Sequence, residues 1–205
     1  MSENIDKLIR RTYRYFYDDG LVEMAIGLLF TAVGLFLLTW RSIQAGSIAG
    51  AALALAMVAL VTGGAFLIKK IVQETKARVT YPRTGYVAYR RGEPSGNRWP
   101  VVLAAMLLFL ASLLLPQVLS QMPVVEGALL AIILGYLGLR SDVRRFYAVA
   151  AAALVLGTVA TLLEAGDIVG STIVFTGTGV VLFITGILTF ITYLRQHPRE
   201  NDTGN

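Results

Sequence analysis

The chain has 205 residues, of which 56% are hydrophobic and 15% charged, with a formal net charge of +5 and a mean hydropathy of +0.66. A soluble domain of this size carries about 25% charged residues, so the composition argues against a soluble globular protein. The lack of cysteine excludes disulfides, thiolate chemistry and Cys-based metal sites, and the single histidine, His197, excludes a histidine cluster.

The charged residues are concentrated in short stretches that separate long apolar segments. A bilayer core about 30 Å thick requires roughly 20 apolar residues per helix, and segments of this length predict an all-α membrane protein with a six-helix transmembrane bundle over 20–194. The predicted spans are 20–40, 47–68, 99–119, 124–139, 147–163 and 171–194, with a cytoplasmic loop at 69–98 and a disordered tail at 195–205.

Lysine and arginine are distributed unevenly between the predicted loops. With six spans, 17 of the 18 basic residues fall on one side of the membrane, and only Arg41 falls on the other. Cytoplasmic loops carry an excess of Lys and Arg, so the sequence predicts a multi-pass protein with both termini in the cytoplasm. The same topology explains the basic pI of 9.6, and no nucleic-acid partner is expected.

Residues 1–19 predict an amphipathic helix that lies in the membrane interface. Its apolar residues follow the i, i+3, i+4, i+7 spacing of one helical face: Ile5, Leu8, Ile9, Thr12, Tyr13 and Phe16. The opposite face is basic: Lys7, Arg10, Arg11 and Arg14. We expect this helix to be an anchor that leads into the first span, and the alternative is an arm that senses lipid or docks a partner.

Acidic residues surround the start of the first span. Asp18 and Asp19 suit a helix N-terminus, and Glu23 follows in the first turn. A charged side chain deep in a bilayer costs about 2.5–3.5 kcal/mol and usually indicates an ion or proton site. Because Glu23 lies so near the end of the span, we expect it to cap free amides and to face headgroup water. No other Asp, Glu, Lys, Arg or His falls in a span interior, which argues against a proton-coupled pump.

The predicted cytoplasmic loop contains a hairpin signal. Val79–Tyr81 and Tyr86–Tyr89 are rich in β-branched and aromatic residues, and Pro82–Gly85 between them is typical of a turn. We therefore expect a short β-hairpin between spans two and three. Its arginines are candidates for contact with lipid headgroups or a soluble phosphate: Arg78, Arg83, Arg90 and Arg91. The alternative is that these residues only meet bulk lipid at the interface.

Two short strings carry a resemblance to a known group of proteins. Tyr81–Val87 reads Tyr-Pro-Arg-Thr-Gly-Tyr-Val, and Asp19–Leu21 reads Asp-Gly-Leu directly before the first span. Both strings resemble a family of uncharacterised polytopic proteins of the bacterial inner membrane. The resemblance implies a bacterial cell inner membrane location and brings no activity with it.

The sixth predicted span contains a repeating hydroxyl pattern. Ser171, Thr178, Thr185 and Thr192 recur every seven residues, with Thr189 one turn from Thr185. Seven residues are nearly two helical turns, so these side chains should lie near one face. The stripe predicts either a packing seam between helices or the lining of a solute pathway.

Spans one and six share the string Phe-Thr-x-x-Gly, at Phe30–Gly34 and Phe175–Gly179. The two spans should cross the membrane in opposite directions, as an inverted repeat of three plus three helices requires. Both strings are short and consist of residues common in membranes, so chance recurrence is the simpler interpretation.

The spans offer no paired nucleophile and base, no metal-ligand cluster and no phosphate loop. We therefore expect no enzyme activity, no catalytic residue, no cofactor and no metal. The favoured function is a structural or interaction protein, an accessory membrane subunit whose partners are the lipid bilayer, anionic headgroups and a membrane protein or a second copy. The alternative is a small transporter or channel for a neutral or hydrophobic solute.

Overall fold

The computed structural model describes residues 17–41, 43, 47–80, 106 and 121–197, and this part of the chain is helical and contains no strand. The described helices are α1 (Leu21–Trp40), α2 (Ile48–Thr75), α3 (Met122–Ser141), α4 (Arg145–Leu162) and α5 (Asp167–Gln196), with a π-helical turn at Lys76–Thr80 that continues α2. All 5 are long and apolar enough to cross a membrane. The all-α class with several such helices is therefore confirmed.

Helix α2 continues beyond the predicted end of its span at residue 68, so the start of the predicted loop is helical. The extension as far as Arg78 contains several good helix formers among its β-branched residues, and Lys70 and Glu74 pair one turn apart at 4.0 Å. Apolar length sets where a span leaves the bilayer, but it does not set where the helix ends. Because the helix continues past residue 68, Lys76 and Thr80 lie in regular structure.

The predicted β-hairpin is not supported. Val79 and Thr80, assigned to its first strand, lie in the π-helical turn instead, because a local β preference is overridden by the continuing helix and by the contact of Thr80 with Asp19. Residues 81–91, which would complete the hairpin, lie outside the described residues. The described part also holds 5 candidate spans, not the six predicted, since 99–119 is described only at Met106. The predicted interfacial helix is described only from Tyr17 onward.

Helices α1 and α5 are antiparallel and lie in close contact through glycines. Gly20 approaches Gly186, and seven residues further along α1 Gly27 approaches Gly179. A Cβ atom built on Gly27 would lie 2.6 Å from the carbonyl oxygen of Gly179, which is closer than real side chains pack. Only residues without a Cβ allow two helix backbones to approach so closely.

Helices α3 and α4 form a second pair against α5. A Cβ built on Gly127 of α3 would lie 2.6 Å from the carbonyl oxygen of Ala153 on α4. Buried apolar side chains fill the space between the helices, among them Phe146, Val149 and Leu182. Helix α2 is peripheral: its side chains are mostly exposed, and it meets α1 where Gly64 packs on Leu29.

Candidate functional site

Two buried carboxylates lie at the start of α1, one in the preceding turn and one in the first helical turn, and each contacts a neighbouring helical segment. Gly20 adopts the left-handed conformation with φ 68°, and a Cβ atom there would clash with α5 as well as strain the backbone. Directly before it, the Asp19 side chain accepts a hydrogen bond from the amide of Leu21 at 3.3 Å. Asp19 and Glu23 are four residues apart, and both are buried. With their partners they form what we call the charged cluster: Tyr17, Asp19, Glu23, Lys76, Thr80 and Arg145.

Asp19 binds the π-helical turn that follows α2. The Lys76 Nζ atom lies 2.9 Å from Asp19 Oδ2, and the Thr80 hydroxyl donates to the same oxygen at 3.2 Å. The side chains of Lys76 and Asp19 are only 4% and 0% exposed. Single π-helical turns occur frequently at functional sites, and this one brings both donors to one carboxylate.

Glu23 binds α4 through a bidentate contact. The Arg145 Nε atom lies 2.8 Å from both carboxylate oxygens of Glu23, and Nη2 lies 2.7 Å from Oε1. The Arg145 guanidinium also donates to the backbone carbonyl of Tyr17. The neighbouring Phe146 packs edge to face on the Tyr17 ring, with centroids 5.3 Å apart. The guanidinium fork matches a carboxylate in geometry as well as charge, so α4 is fixed in orientation against α1.

The charged cluster is suited to holding helices together. Each carboxylate has its own cation, and each cation comes from a different helical segment, so α1, α2 and α4 are tied at one end. Because desolvation offsets much of the attraction in a buried pair, such a pair adds little to net stability. Removing one partner is nevertheless costly, since the other charge is then left buried and alone.

The structure corrects the predicted environment of Glu23. This residue is 1% exposed and paired with Arg145, so it does not face headgroup water. In the sequence, Lys76 and Arg145 are two of the 17 basic residues explained by the predicted membrane topology alone. A usable signal was present: Asp19 and Glu23 share one helical face and were predicted on the same membrane side as both cations.

The other predicted site residues, the loop arginines and the hydroxyl stripe, differ in how exposed they are. Arg78 is exposed, and Arg83, Arg90 and Arg91 lie outside the described residues. Of the hydroxyl stripe, Ser171 and Thr178 are buried, Thr185 and Thr189 are half-buried, and Thr192 is exposed. The stripe therefore runs from the interior of the bundle to its surface.

Most hydroxyls of the stripe bond to their own helix. Thr185 donates to the carbonyl of Val181 at 3.0 Å, and Thr189 donates to that of Thr185 at 2.8 Å. Thr178 Oγ1 is buried and has no hydrogen-bond partner among the described residues. Whether these hydroxyls form a packing seam or a pathway stays a prediction at this point.

Comparison with known proteins gave no relative. No family model matches the chain, and neither the curated proteins nor the solved structures gave a significant match.

Proposed function

We propose that this chain is a multi-pass protein of the bacterial inner membrane that acts as a structural or interaction subunit and has no catalytic activity. The observation that carries the proposal is the contact between α1 and α5. The backbone of Gly27 meets that of Gly179, and Thr178 beside it is 0% exposed. A solute pathway between these helices would require space along Thr178, and the close backbone contact leaves little.

The arrangement of charge also supports a static role. Coupled transporters keep ionisable groups in contact with a pathway, where they can change partners. Here Asp19 and Glu23 are each held by a dedicated cation at one end of the bundle. This pattern favours a rigid scaffold that presents its surface to lipid or to another protein.

Six spans are part of the proposal, and the positions of two chain segments support the number. Thr80 lies at the end of the bundle that contains Asp19, since their side chains are hydrogen-bonded at 3.2 Å. Met122 lies at the opposite end, beside Trp40 at the end of α1. The intervening chain must therefore pass from one end of the bundle to the other, and the apolar segment 99–119 is long enough to do so.

The orientation is proposed from charge. Among the described residues, Arg41 is the one Lys or Arg at the end where α1 finishes, and the others lie toward the end that contains Asp19. The start of α1 and the end of α5 also share that end, because Gly20 meets Gly186. The positive-inside rule then favours cytoplasmic termini, with the exposed Arg78 near anionic headgroups.

The proposal is tested by measuring assembly and flux on the same preparation. We expect the protein, extracted from its native membrane in mild detergent, to show by native mass spectrometry a fixed stoichiometry with itself or with a second membrane protein. Reconstituted alone, it should not raise glycerol flux above that of empty liposomes. Saturable flux from a monomeric preparation would overturn the proposal.

A second candidate function has one observation in its favour. Ser171, the first hydroxyl of the stripe, lines a cavity of about 590 Å³ at the end of the bundle where α1 finishes. A transporter or channel for a neutral or hydrophobic solute could begin there. Thr178→Val with Thr185→Val keeps the side-chain shapes and removes the hydroxyls, so loss of flux with normal stability would identify this function.

A further inference from the structure

The cavity at the end opposite the charged cluster has an acidic and an apolar wall. It lies between the last turn of α1 and the first turns of α3 and α5, is open on one side, and has a volume of about 590 Å³. Leu37, Trp40 and Ile168 contribute apolar surface. Glu126, Asp167 and Ser171 contribute the polar side. A volume of this size is within the range of sites that hold small organic ligands.

Close packing of two helix starts brings the carboxylates together. Pro123 of α3 packs directly on Gly170 of α5, where any Cβ would collide with the proline ring. Glu126 lies one turn after Pro123, and Asp167 lies one turn before Gly170, so both face the same space. Their charges are near enough to repel each other, and Ser171 interacts with the Glu126 side chain.

This acidic wall has an unused acceptor. The Glu126 Oε2 atom is buried and has no hydrogen-bond partner among the described residues. A buried carboxylate oxygen without a donor is costly, and the positive ends of the two helix dipoles offset only part of that cost. None of the described lining residues is basic, and Arg41, which follows Trp40, is exposed. The described part of the lining is therefore short of positive charge.

We propose that this cavity binds a small organic cation with an apolar body, such as an amine or a quaternary ammonium compound. Entry of the cation from the outer side of the membrane rests on the proposed orientation. Glu126 and Asp167 would neutralise the charge, and the Trp40 ring and the aliphatic wall would cover the apolar part. Inorganic divalent ions fit less well, since Ca²⁺ takes about 6–8 oxygen ligands and four of the seven described lining residues are apolar. The inference is independent of whether the protein assembles with a partner.

Two probes of the same size and opposite charge test the proposal. Tetraphenylphosphonium is titrated into the full-length protein in lipid nanodiscs, with empty nanodiscs subtracted, and tetraphenylborate serves as the anionic counterpart. We expect saturable binding of the cation only, weakened by high salt. Glu126→Gln and Asp167→Asn should each raise its Kd by about tenfold, the usual scale for losing one charged contact. Glu164→Gln is the matched control, because Glu164 is an exposed acid at the same end that does not line the cavity.

Three results would overturn the proposal. The first is equal binding of the cation by the original protein and by Asp167→Asn, a substitution at an exposed position that should not affect folding. The second is equal binding of the anion. The third is binding of Mg²⁺ or Ca²⁺ that displaces the organic cation at lower concentration, which would assign the carboxylates to a metal ion.

Discussion

The rings of Phe30 on α1 and Phe175 on α5 meet edge to face, with centroids 6.1 Å apart and planes inclined by 84°. Both residues begin a Phe-Thr-x-x-Gly string, and the contact between the strings is reciprocal. Gly179 packs against Thr31, and Gly34 packs against Thr176. Two copies of one short motif thus pack on each other in antiparallel helices, so the recurrence that looked accidental in sequence has a physical role in the α1–α5 contact.

The α1–α5 contact predicts that Gly→Ala substitutions at two positions will lower stability by very different amounts. Gly27→Ala places a methyl group 2.6 Å from the carbonyl of Gly179, so the helices must separate. We expect a loss of about 1–3 kcal/mol or more in the free energy of unfolding, measured by denaturant titration in mixed micelles. The matched control is Gly63→Ala, since nothing lies within 4 Å of that position. Equal effects at both positions would contradict the close contact.

The buried pair between Glu23 and Arg145 predicts an asymmetric response to substitution. Glu23→Gln leaves Arg145 without its anion, and because the Arg145 side chain is 27% exposed we expect a loss of about 1.5–3 kcal/mol in unfolding free energy. Glu23→Leu combined with Arg145→Met removes both charges and should recover much of that loss. The exposed pair between Lys70 and Glu74 serves as the comparison. Glu74→Gln should lower the unfolding free energy by only about 0–1 kcal/mol. A double variant less stable than Glu23→Gln would argue that the pair itself is stabilising.

The contact between Asp19 and Lys76 predicts local control of the end of α2. Lys76→Met leaves the Asp19 carboxylate buried without a cation, so the π-helical turn should open more often. We expect amide hydrogen exchange in 72–80 to accelerate at least about tenfold, with little change where Gly64 packs on Leu29. Lys69→Met, at an exposed position, should leave the exchange unaltered.

Substitution by valine should change the stability of the protein differently at Thr178 and at Thr185. Thr178 Oγ1 is buried with no hydrogen-bond partner among the described residues, so Thr178→Val should keep or raise the thermal stability in detergent. Thr185 donates within its own helix, and Thr185→Val should cost about 0.6 kcal/mol or less. A clear loss of stability in Thr178→Val would show that its hydroxyl has a partner from another part of the protein.

The proposed topology predicts where reporters become accessible. A reporter after residue 205, or one inserted at 92–96, should report the cytoplasm, and one at 165–168 should report the exterior. The results after residue 205 and at 165–168 are linked, because α5 carries the chain from one end of the bundle to the other. A cytoplasmic signal at 165–168 together with an exterior one after 205 would reverse the orientation but keep the fold. Signals on the same side at both positions would contradict α5 as a span.

The sequence by itself determined the helical class and the apolar segments that are long enough to cross a membrane. Apolar length is a property of contiguous residues, so the predicted spans at 20–40, 124–139, 147–163 and 171–194 overlap α1, α3, α4 and α5. Helix ends were less accurate, because α2 continues through polar residues that a hydropathy criterion assigns to a loop. The partition of Lys and Arg between the two sides stays a prediction, since it depends on all six spans and on where each of them ends.

Only the tertiary structure decided which charged and polar groups meet. Glu23 could have faced headgroup water, and it is buried because α4 brings Arg145 to it over 122 residues of sequence. Lys76 reaches Asp19 only because the helix continues past the predicted end of its span, and Glu126 shares a cavity with Asp167 only because Pro123 packs on Gly170. A periodic pattern places a residue on a helix face, but the partner of that face is set by how the helices pack against one another.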